Sequence, residues 1–290
     1  PSIDAEIKFE CGGSDDIYRF SLTRAVPNRL IINYEEIEYN NPQNPTPCKK
    51  KLVSDFNESG LLSGKDKTCE IVRNMLSLCK VYQFSDSSQT SPMRQASTVD
   101  SAQYLQSEAD NLASFLYFLK NNYKESYERI SYYVRSVMPQ FKNFYLHPER
   151  GYISLKWEDD SLSDYVFSPY QFSDGSIRFI ALATLLLQPE ETMPNVIIID
   201  EPELGLHPFA IDQLSEMIKD ASLHAQIIVA TQSSLLIDNF YLSDITVIER
   251  EAEMSCTVAK KMDKDTYSDW LENYQISELW NKNVIGGRPE

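Results

Sequence analysis

The sequence is poor in positive charge, in histidine and in long apolar runs, and each shortage excludes something. Lys and Arg number 27 against 43 Asp and Glu, a formal net charge of −16 over 290 residues. A surface this acidic disfavours polyanion binding through bulk charge, so nucleic-acid contact would need a local basic patch. CKKKLV (Cys48 to Val53), with Lys65 and Lys67 nearby, is a candidate, and it reads as a solvated loop. The apolar runs VIIID and FIALATLLLQP fall well short of the ~20 residues a membrane-crossing helix needs. The opening PSIDAEIKFE has neither a signal nor a transit pattern. Five cysteines, Cys11, Cys48, Cys69, Cys79 and Cys256, form no CxxC pair. None has a histidine at ligand spacing, which argues against structural zinc and for free thiols in a reducing cytoplasm.

The apolar share of 42% and charged share of 24% are those of a globular chain able to bury a sizeable core. Ile3, Ala5, Ile7 and Phe9 alternate with polar residues, as do Tyr18, Phe20 and Leu22, and RLIINYEEIEY continues the pattern. Period-two alternation predicts an antiparallel sheet with one wet face. Residues 40–67 read as loop, Thr68 to Cys79 as helix and KVYQF as strand; 85–103 reads as a long polar loop. Apolar residues at spacings of three and four from Ala109 to Met138 predict one amphipathic helical segment or two in tandem.

After Pro139 the pattern changes. FKNFYLHP, GYISLKW and DYVFSPY read as strands. Helices over Gly175–Leu187, Phe209–Ala221 and Ser234–Asn239 then alternate with strands over Val196–Ile199, Ile227–Ala230 and Ile245–Glu249. Such alternation predicts an α/β lobe with a largely parallel sheet, whose ligands sit outside the carboxyl ends of the strands.

Three polar motifs fall at that edge. In NVIIIDEPELGLHP a buried strand runs into Asp200, Glu201 and Glu203. Carboxylates there are costly to desolvate unless a cation meets them. A magnesium ion would meet that demand, and the apolar strand ending in Asp-Glu resembles a Walker B strand, which implies magnesium at Asp200 and a general base at Glu201. In YQFSDGSIRFIALATLLLQP, Ser173, Asp174, Gly175 and Ser176 precede an apolar helix. Ser and Asp suit an N-cap, and a small-residue helix start with free amides suits an anion. Arg178, one turn further, would position such an anion or pair with a neighbouring acid. In QIIVATQSSLLIDNF a buried strand ends in Thr231, Gln232 and Ser233. Ser233 suits a helix cap; Gln232 can hydrogen-bond a phosphate or a water but cannot accept a proton.

These motifs together resemble the ABC-type ATPases that include the RecF, SMC and OLD proteins. DEPELGLHP looks like their Walker B strand and D-loop, with Leu204, Gly205, Leu206 and His207 in the D-loop, which in that family runs along a dimer interface. FSDGS is similar to the signature motif, which there contacts the γ-phosphate of ATP held by the other subunit. ATQS is similar to the switch region, with Gln232 in place of the usual His. SPMRQAS, NLASFLYFLK and SELWNKNVIGGRP extend the resemblance to bacterial AAA/ABC-type ATPases of the RecF/OLD-like subgroup. No transporter-type Q-loop is recognisable.

The resemblance implies an α/β, ABC-ATPase-like P-loop NTPase fold with an antiparallel β subdomain and a helical lid insertion. Residues 1–84 would form the β-rich part of the nucleotide lobe, 85–140 the loop and lid, and 141–290 the α/β lobe with the motifs. It implies ATP and Mg²⁺ as ligands. The implied partners are a second copy of the chain in a homodimer or higher oligomer, a nuclease or other effector, and DNA, in DNA repair or anti-phage defence; the place is the cytoplasm, without a membrane partner. Hydrolysis needs a P-loop, GxxxxGK[ST]. The nearest string, SGLLSGKDKT (Ser59 to Thr68), has Gly60 and Gly64 one residue too close and Asp66 where Ser or Thr belongs, so it reads as a turn. The resemblance places the P-loop, with its strand and first helix, upstream of Pro1. Against this ATP-gated switch stands a non-hydrolysing scaffold or sensor that recruits an effector. A metal nuclease built on Glu158, Asp159 and Asp164 ranks last, for want of a nuclease spacing.

Overall fold

A computed structural model describes residues 2–11, 14–40, 46–53, 57–101, 103–161, 165–251 and 256–287. The chain divides into two compact units, Pro1–Cys79 and Lys80–Glu290.

In the first unit β1 (Ser2–Cys11), β2 (Ser14–Ala25), β3 (Arg29–Tyr39) and β4 (Cys48–Lys51) form an antiparallel sheet in chain order. The register sets Ile7 against Tyr18 and Tyr18 against Ile37, so the alternating apolar residues share one face. Beneath that face lie α1 (Gly60–Ser63) and α2 (Lys67–Ser77), and Leu61, Cys69 and Val72 join Tyr18 and Ile37 in the core. The basic run expected as a solvated loop is instead the edge strand β4. Lys49 pairs with Glu38, Lys50 with Asp66, and Lys51 lies over the Tyr34 ring. Lysines are a usual guard on an edge strand, so the run supplies no free basic patch. Cys48, Cys69 and Cys79 are in no disulfide; the side chains of Cys11 and Cys256 lie outside those described.

The SGLLSGKDKT string holds two capped helix starts rather than a single turn. The Ser59 hydroxyl accepts from the Leu61 amide, and the Asp66 carboxylate accepts from the Cys69 amide at 3.2 Å. The Gly60 amide, the group a phosphate would need, donates at 2.7 Å to the buried Glu35 carboxylate. Glu35 also accepts from Ser59 and from Tyr18, whose phenol is pushed above its ordinary range by burial and by that carboxylate.

In the second unit a three-stranded sheet runs in the order β12 (Gln226–Ala230), β11 (Val196–Asp200), β5 (Cys79–Tyr82). β11 and β12 are parallel, with Ile197 opposite Ile227 and Asp200 opposite Ala230. The expected long loop after β5 is ordered by two 3₁₀ turns, Pro92–Arg94 and Val99–Ser101, and by β6 (Ser97–Thr98) paired with β8 (Tyr152–Ile153). The helical segment breaks at Tyr123 (φ −137°, ψ 65°) into α3 (Leu112–Asn122) and α4 (Lys124–Val137). A second sheet orders β10 (Val166–Phe167), β9 (Lys156–Asp159) and β7 (Phe141–Tyr145).

The core centres on α5 (Asp174–Leu186), in which every residue from Ile177 to Leu186 is buried. A helix apolar on all sides has to lie inside. Its large side chains contribute about 1.5–3 kcal/mol each on burial. Beside it pack α4 and α6 (Pro208–Ala221). After α7 (Ser234–Ile237) the chain makes the hairpin β13 (Thr246–Glu251) and β14 (Cys256–Lys261), then α8 (Ser268–Leu271) and α9 (Ile276–Asn281). These gather a satellite core of Val247, Met262, Leu279 and Ile285. No helix among the described residues is long and apolar enough to cross a membrane.

Candidate functional site

β11 forms because four successive apolar residues, three of them Ile, suit a strand covered on both faces, and Ile197 and Ile199 are fully buried. The strand stops where burial stops, at exposed Asp200 and Glu201. The Glu201 amide still donates to the Ala230 carbonyl at 2.9 Å, extending the ladder one residue beyond the strand. Its φ of +43° then turns the chain out of the sheet. That conformation costs a non-glycine residue on the order of 1–2 kcal/mol and is worth attention at a carboxylate. Two bonds close the turn that follows, Leu204 amide to Glu201 carbonyl and Leu206 amide to Glu203 carbonyl. The Asp200 carboxylate accepts from the Gln83 side-chain amide at 3.4 Å. Gln83 directly follows β5, so it reaches the same sheet edge from the neighbouring strand.

The second wall is the start of α5. Ser173 is its N-cap: the Ser173 hydroxyl accepts from the Ser176 amide at 3.0 Å and lies 2.7 Å from the Ser176 hydroxyl. Asp174, exposed, takes an ion pair at 2.9 Å from Arg94, which is itself 1% exposed. The rest of the Arg94 fork donates to the carbonyls of Pro169, Phe172, Ser87 and Ser88. Gly175 has no room for a side chain, since an added Cβ would sit 2.6 Å from the Gly205 carbonyl oxygen. Gly205 has φ +76°, and a Cβ there would meet Arg178 at 2.9 Å. The helix start and the turn after Glu203 are therefore in backbone contact, and each glycine permits the other's approach.

Arg178 is taken up by main chain rather than by a neighbouring acid. Its buried guanidinium donates to three main-chain carbonyls, those of Phe84 and Ser85 at 2.8 Å each and that of Leu204. Desolvation lowers its pKa, with only the nearby Asp174 charge opposing. Among the remaining turn residues, Leu204 is 49% exposed and Leu206 packs against the main core. His207 caps α6, its Nδ1 accepting from the Phe209 amide at 3.2 Å, with Pro208 at the first helical position.

The third wall follows β12. The Thr231 hydroxyl donates to Glu203 Oε1 at 2.6 Å and accepts from the Ser233 amide at 2.9 Å. Ser233 caps α7, accepting from the Leu236 amide. Gln232 lies between these two fixed residues with its own side chain exposed. Glu203 Oε2 is buried and has no hydrogen-bond partner among the described residues. Such an atom costs about 1–3 kcal/mol.

Asp200, Glu201 and the Thr231–Ser233 loop thus meet at one sheet edge, and the Ser173–Ser176 turn meets the Leu204–His207 turn. Sequence reasoning missed Gln83 and Arg94 as parts of this arrangement; it set Glu203 and Thr231 at the edge without the bond that joins them. Gln83 had a signal: KVYQF, like IIIDE, is an apolar strand ending in a polar residue at the ligand-bearing edge. Arg94 had little, being one arginine in a polar segment. For magnesium the exposed Asp200 carboxylate fits as a hard oxygen ligand at the sheet edge, and the Gln83 amide, whose nitrogen donates to it, lies beside it. The nuclease alternative gains nothing. Asp159 accepts from the Ser161 amide at 2.8 Å and its hydroxyl at 2.5 Å as a turn cap, and Asp164 lies outside the described residues. No metal-holding group of His, Cys, Asp and Glu occurs among the described residues.

Comparison with known proteins places this geometry. Residues 91–238, just over half of the chain, match the family model described as "AAA domain, putative AbiEii toxin, Type IV TA system". A 133-residue stretch is 29% identical to the energy-coupling factor transporter ATP-binding protein EcfA2 of Lactobacillus delbrueckii subsp. bulgaricus, covering 43% of this chain and 42% of that one. Another 87 residues are 30% identical to a putative ABC transporter ATP-binding protein of Geobacter sulfurreducens, 30% of this chain and 32% of that one. The chain spans less than half the length of these curated relatives. In solved structures, an Smc head bound to the C-terminal winged-helix domain of ScpA matches with TM-score 0.50 and 13% identity over 87% of this chain and 76% of that one. An Smc head with an extended coiled coil, bound to the C-terminal domain of ScpA from Pyrococcus furiosus, gives TM-score 0.50 and 11% identity over 89% and 79%. The fold is that of the SMC-type ATPase heads, a P-loop NTPase fold combined with antiparallel sheet.

Proposed function

The chain belongs to the AAA family described as putative AbiEii toxin, Type IV TA system, an ABC-type ATPase family of the SMC and RecF class; from that premise we propose that it binds and hydrolyses ATP as a dimeric, ATP-gated switch. The observation that carries this reading is the convergence at one sheet edge of Asp200, Gln83, the strained Glu201 and the Gln232 loop. Bound magnesium would supply charge neutralisation for the nucleotide phosphates. Asp200 and Gln83 would hold it, Asp200 by charge and Gln83 by its amide oxygen once the amide, whose nitrogen donates to Asp200 in the structure, turns over. Glu201 takes a proton from the attacking water, being the exposed carboxylate next along the chain. Gln232, unable to accept a proton, orients that water or the γ-phosphate by hydrogen bonding. The Ser173–Ser176 turn presents helix amides and hydroxyls to the nucleotide of a second copy, and Leu204 to His207 lie along the same interface.

Hydrolysis also requires a P-loop, a role the Ser59–Thr68 string does not fill because its Gly60 amide is taken by Glu35, so the tests use the full-length protein. The proposal extends to an effector, a nuclease or other enzyme, switched in DNA repair or anti-phage defence. The resemblance and the toxin–antitoxin description of the family support that extension.

Substituting Ser173→Arg places a long cation where the partner's phosphate would dock without touching the α5 core. ATP-dependent association, followed by sedimentation velocity, should weaken at least tenfold, on the order of 1.4 kcal/mol. Association of this variant at wild-type strength would rule the signature turn out of the interface. A second substitution, Gln83→Ala, should raise the Mg²⁺ concentration for half-maximal ATP turnover about tenfold while turnover at saturating Mg²⁺ falls less, since Asp200 remains. An unchanged Mg²⁺ dependence would detach Gln83 from the metal. Wild-type protein that binds ATP and associates but releases no phosphate would be a scaffold or sensor, not an ATPase.

A further inference from the structure

Two links join the turn that carries Glu201 to the loop that carries Gln232. One is main chain, from the Glu201 amide to the Ala230 carbonyl at 2.9 Å, and it belongs to the sheet. The other is side chain, from the Thr231 hydroxyl to Glu203 at 2.6 Å, and nothing in the sheet requires it. We propose that Glu203 and Thr231 are positioning residues, a latch that fixes the backbone of Gln232 relative to the Glu201 turn and so sets the rate of the hydrolytic step.

Thr231 uses its hydroxyl twice. It donates across the gap to Glu203 and accepts from the Ser233 amide, closing a tight side-chain turn around Gln232. Ser233 then caps α7, so the residues on both sides of Gln232 are pinned while Gln232 itself stays exposed. On the other side, Glu203 is held by its own carbonyl, which accepts from the Leu206 amide at 3.0 Å. The second carboxylate oxygen, buried and without a partner among the described residues, is the mark of a bond kept at a cost. A group retained for packing alone would be served better by a neutral side chain of the same shape. The latch therefore acts through Gln232, and neither of its residues needs to touch the nucleotide.

This inference rests on the hydrolytic reading, and the test separates the two. In the full-length protein, Thr231→Val keeps the shape and removes the hydroxyl; Thr231→Ser keeps the hydroxyl. Expected is a fall in kcat of about tenfold for Thr231→Val and Glu203→Ala with KM for ATP within about threefold, and near-normal kcat for Thr231→Ser. In a Gln232→Ala background, Thr231→Val should add less than about twofold, because residues acting through one group are not additive. The same factor in both backgrounds, or normal kcat in Thr231→Val, overturns the latch. If the wild-type protein turns over no ATP, the hydrolytic reading fails, and amide hydrogen exchange then decides the latch. Faster exchange at Ser233 in Thr231→Val and Glu203→Ala, but not in Thr231→Ser, upholds it; equal exchange in all of them removes it.

Discussion

Replacing Arg94 with methionine lowers the unfolding temperature of the protein by roughly 10 °C, the largest stability effect expected of any single surface-to-core contact in the Lys80–Glu290 unit. The reasoning starts from burial. Arg94 is 1% exposed and its guanidinium serves four carbonyl oxygens besides Asp174, drawn from the segment after β5 and from the chain that leads into α5. Methionine matches its stem but offers no donor, so the Ser87 and Phe172 carbonyls lose the guanidinium that pairs them, while those of Ser88 and Pro169 keep the Ser91 and Phe172 amides. Each costs about 1–3 kcal/mol if water cannot reach it, and a buried fork removed as a whole costs about 3–5 kcal/mol. Asp174 adds little to the loss, because it is exposed and can be hydrated. A Arg94→Lys variant sharpens the point. Its single ammonium cannot imitate the planar fork, so most of the loss should remain. Calorimetry of both variants checks this, and a lysine variant as stable as the wild type would show that charge, not fork geometry, orders the segment.

The same residue illustrates what the sequence discloses and what it does not. The alternation in Ile3 to Phe9 and in Tyr18 to Leu22 was readable, because period two has few other physical solutions and the register confirms one apolar face. The apolar run into Asp200 was readable because a short unbroken branched run suits a strand covered on both faces, and α5 because a long apolar run after an N-cap suits a buried helix. Residues 85–103 were not. Besides the 3₁₀ turns and the β6–β8 pair, their order comes from Arg94 bonding to carbonyls 75 and 78 residues further along the chain, and polar composition carries no trace of such contacts. Likewise CKKKLV looked like loop, since its strand character depends on pairing with β3 and on the acids that meet each lysine. At the candidate site, the carboxylates and small residues announce themselves by type. Their mutual placement does not: that Gly175 abuts Gly205, or that Arg178 holds the Leu204 carbonyl, is set by tertiary packing alone.

Glu201→Gln should reduce ATP hydrolysis by about 10²–10³-fold and leave ATP-dependent association intact or longer lived. Glutamine keeps the size and the hydrogen-bonding reach of the side chain. It also leaves the backbone untouched, including the amide bond to Ala230 and the φ of +43° that turns the residue out of the sheet. What it removes is the ability to take a proton from water at neutral pH. Neighbouring Asp200 is the other exposed carboxylate at the strand end and is assigned to the metal, so it is not free to substitute. In the proposed scheme association depends on the nucleotide spanning two copies through the Ser173–Ser176 turn, a contact that Glu201 does not make, so binding and turnover should separate in this variant. Phosphate release and sedimentation velocity, measured on the same samples of full-length protein, give both quantities. Turnover at the wild-type rate would take the general-base role away from Glu201. Loss of association together with turnover would mean instead that the Glu201 charge is needed to build the ATP-bound state.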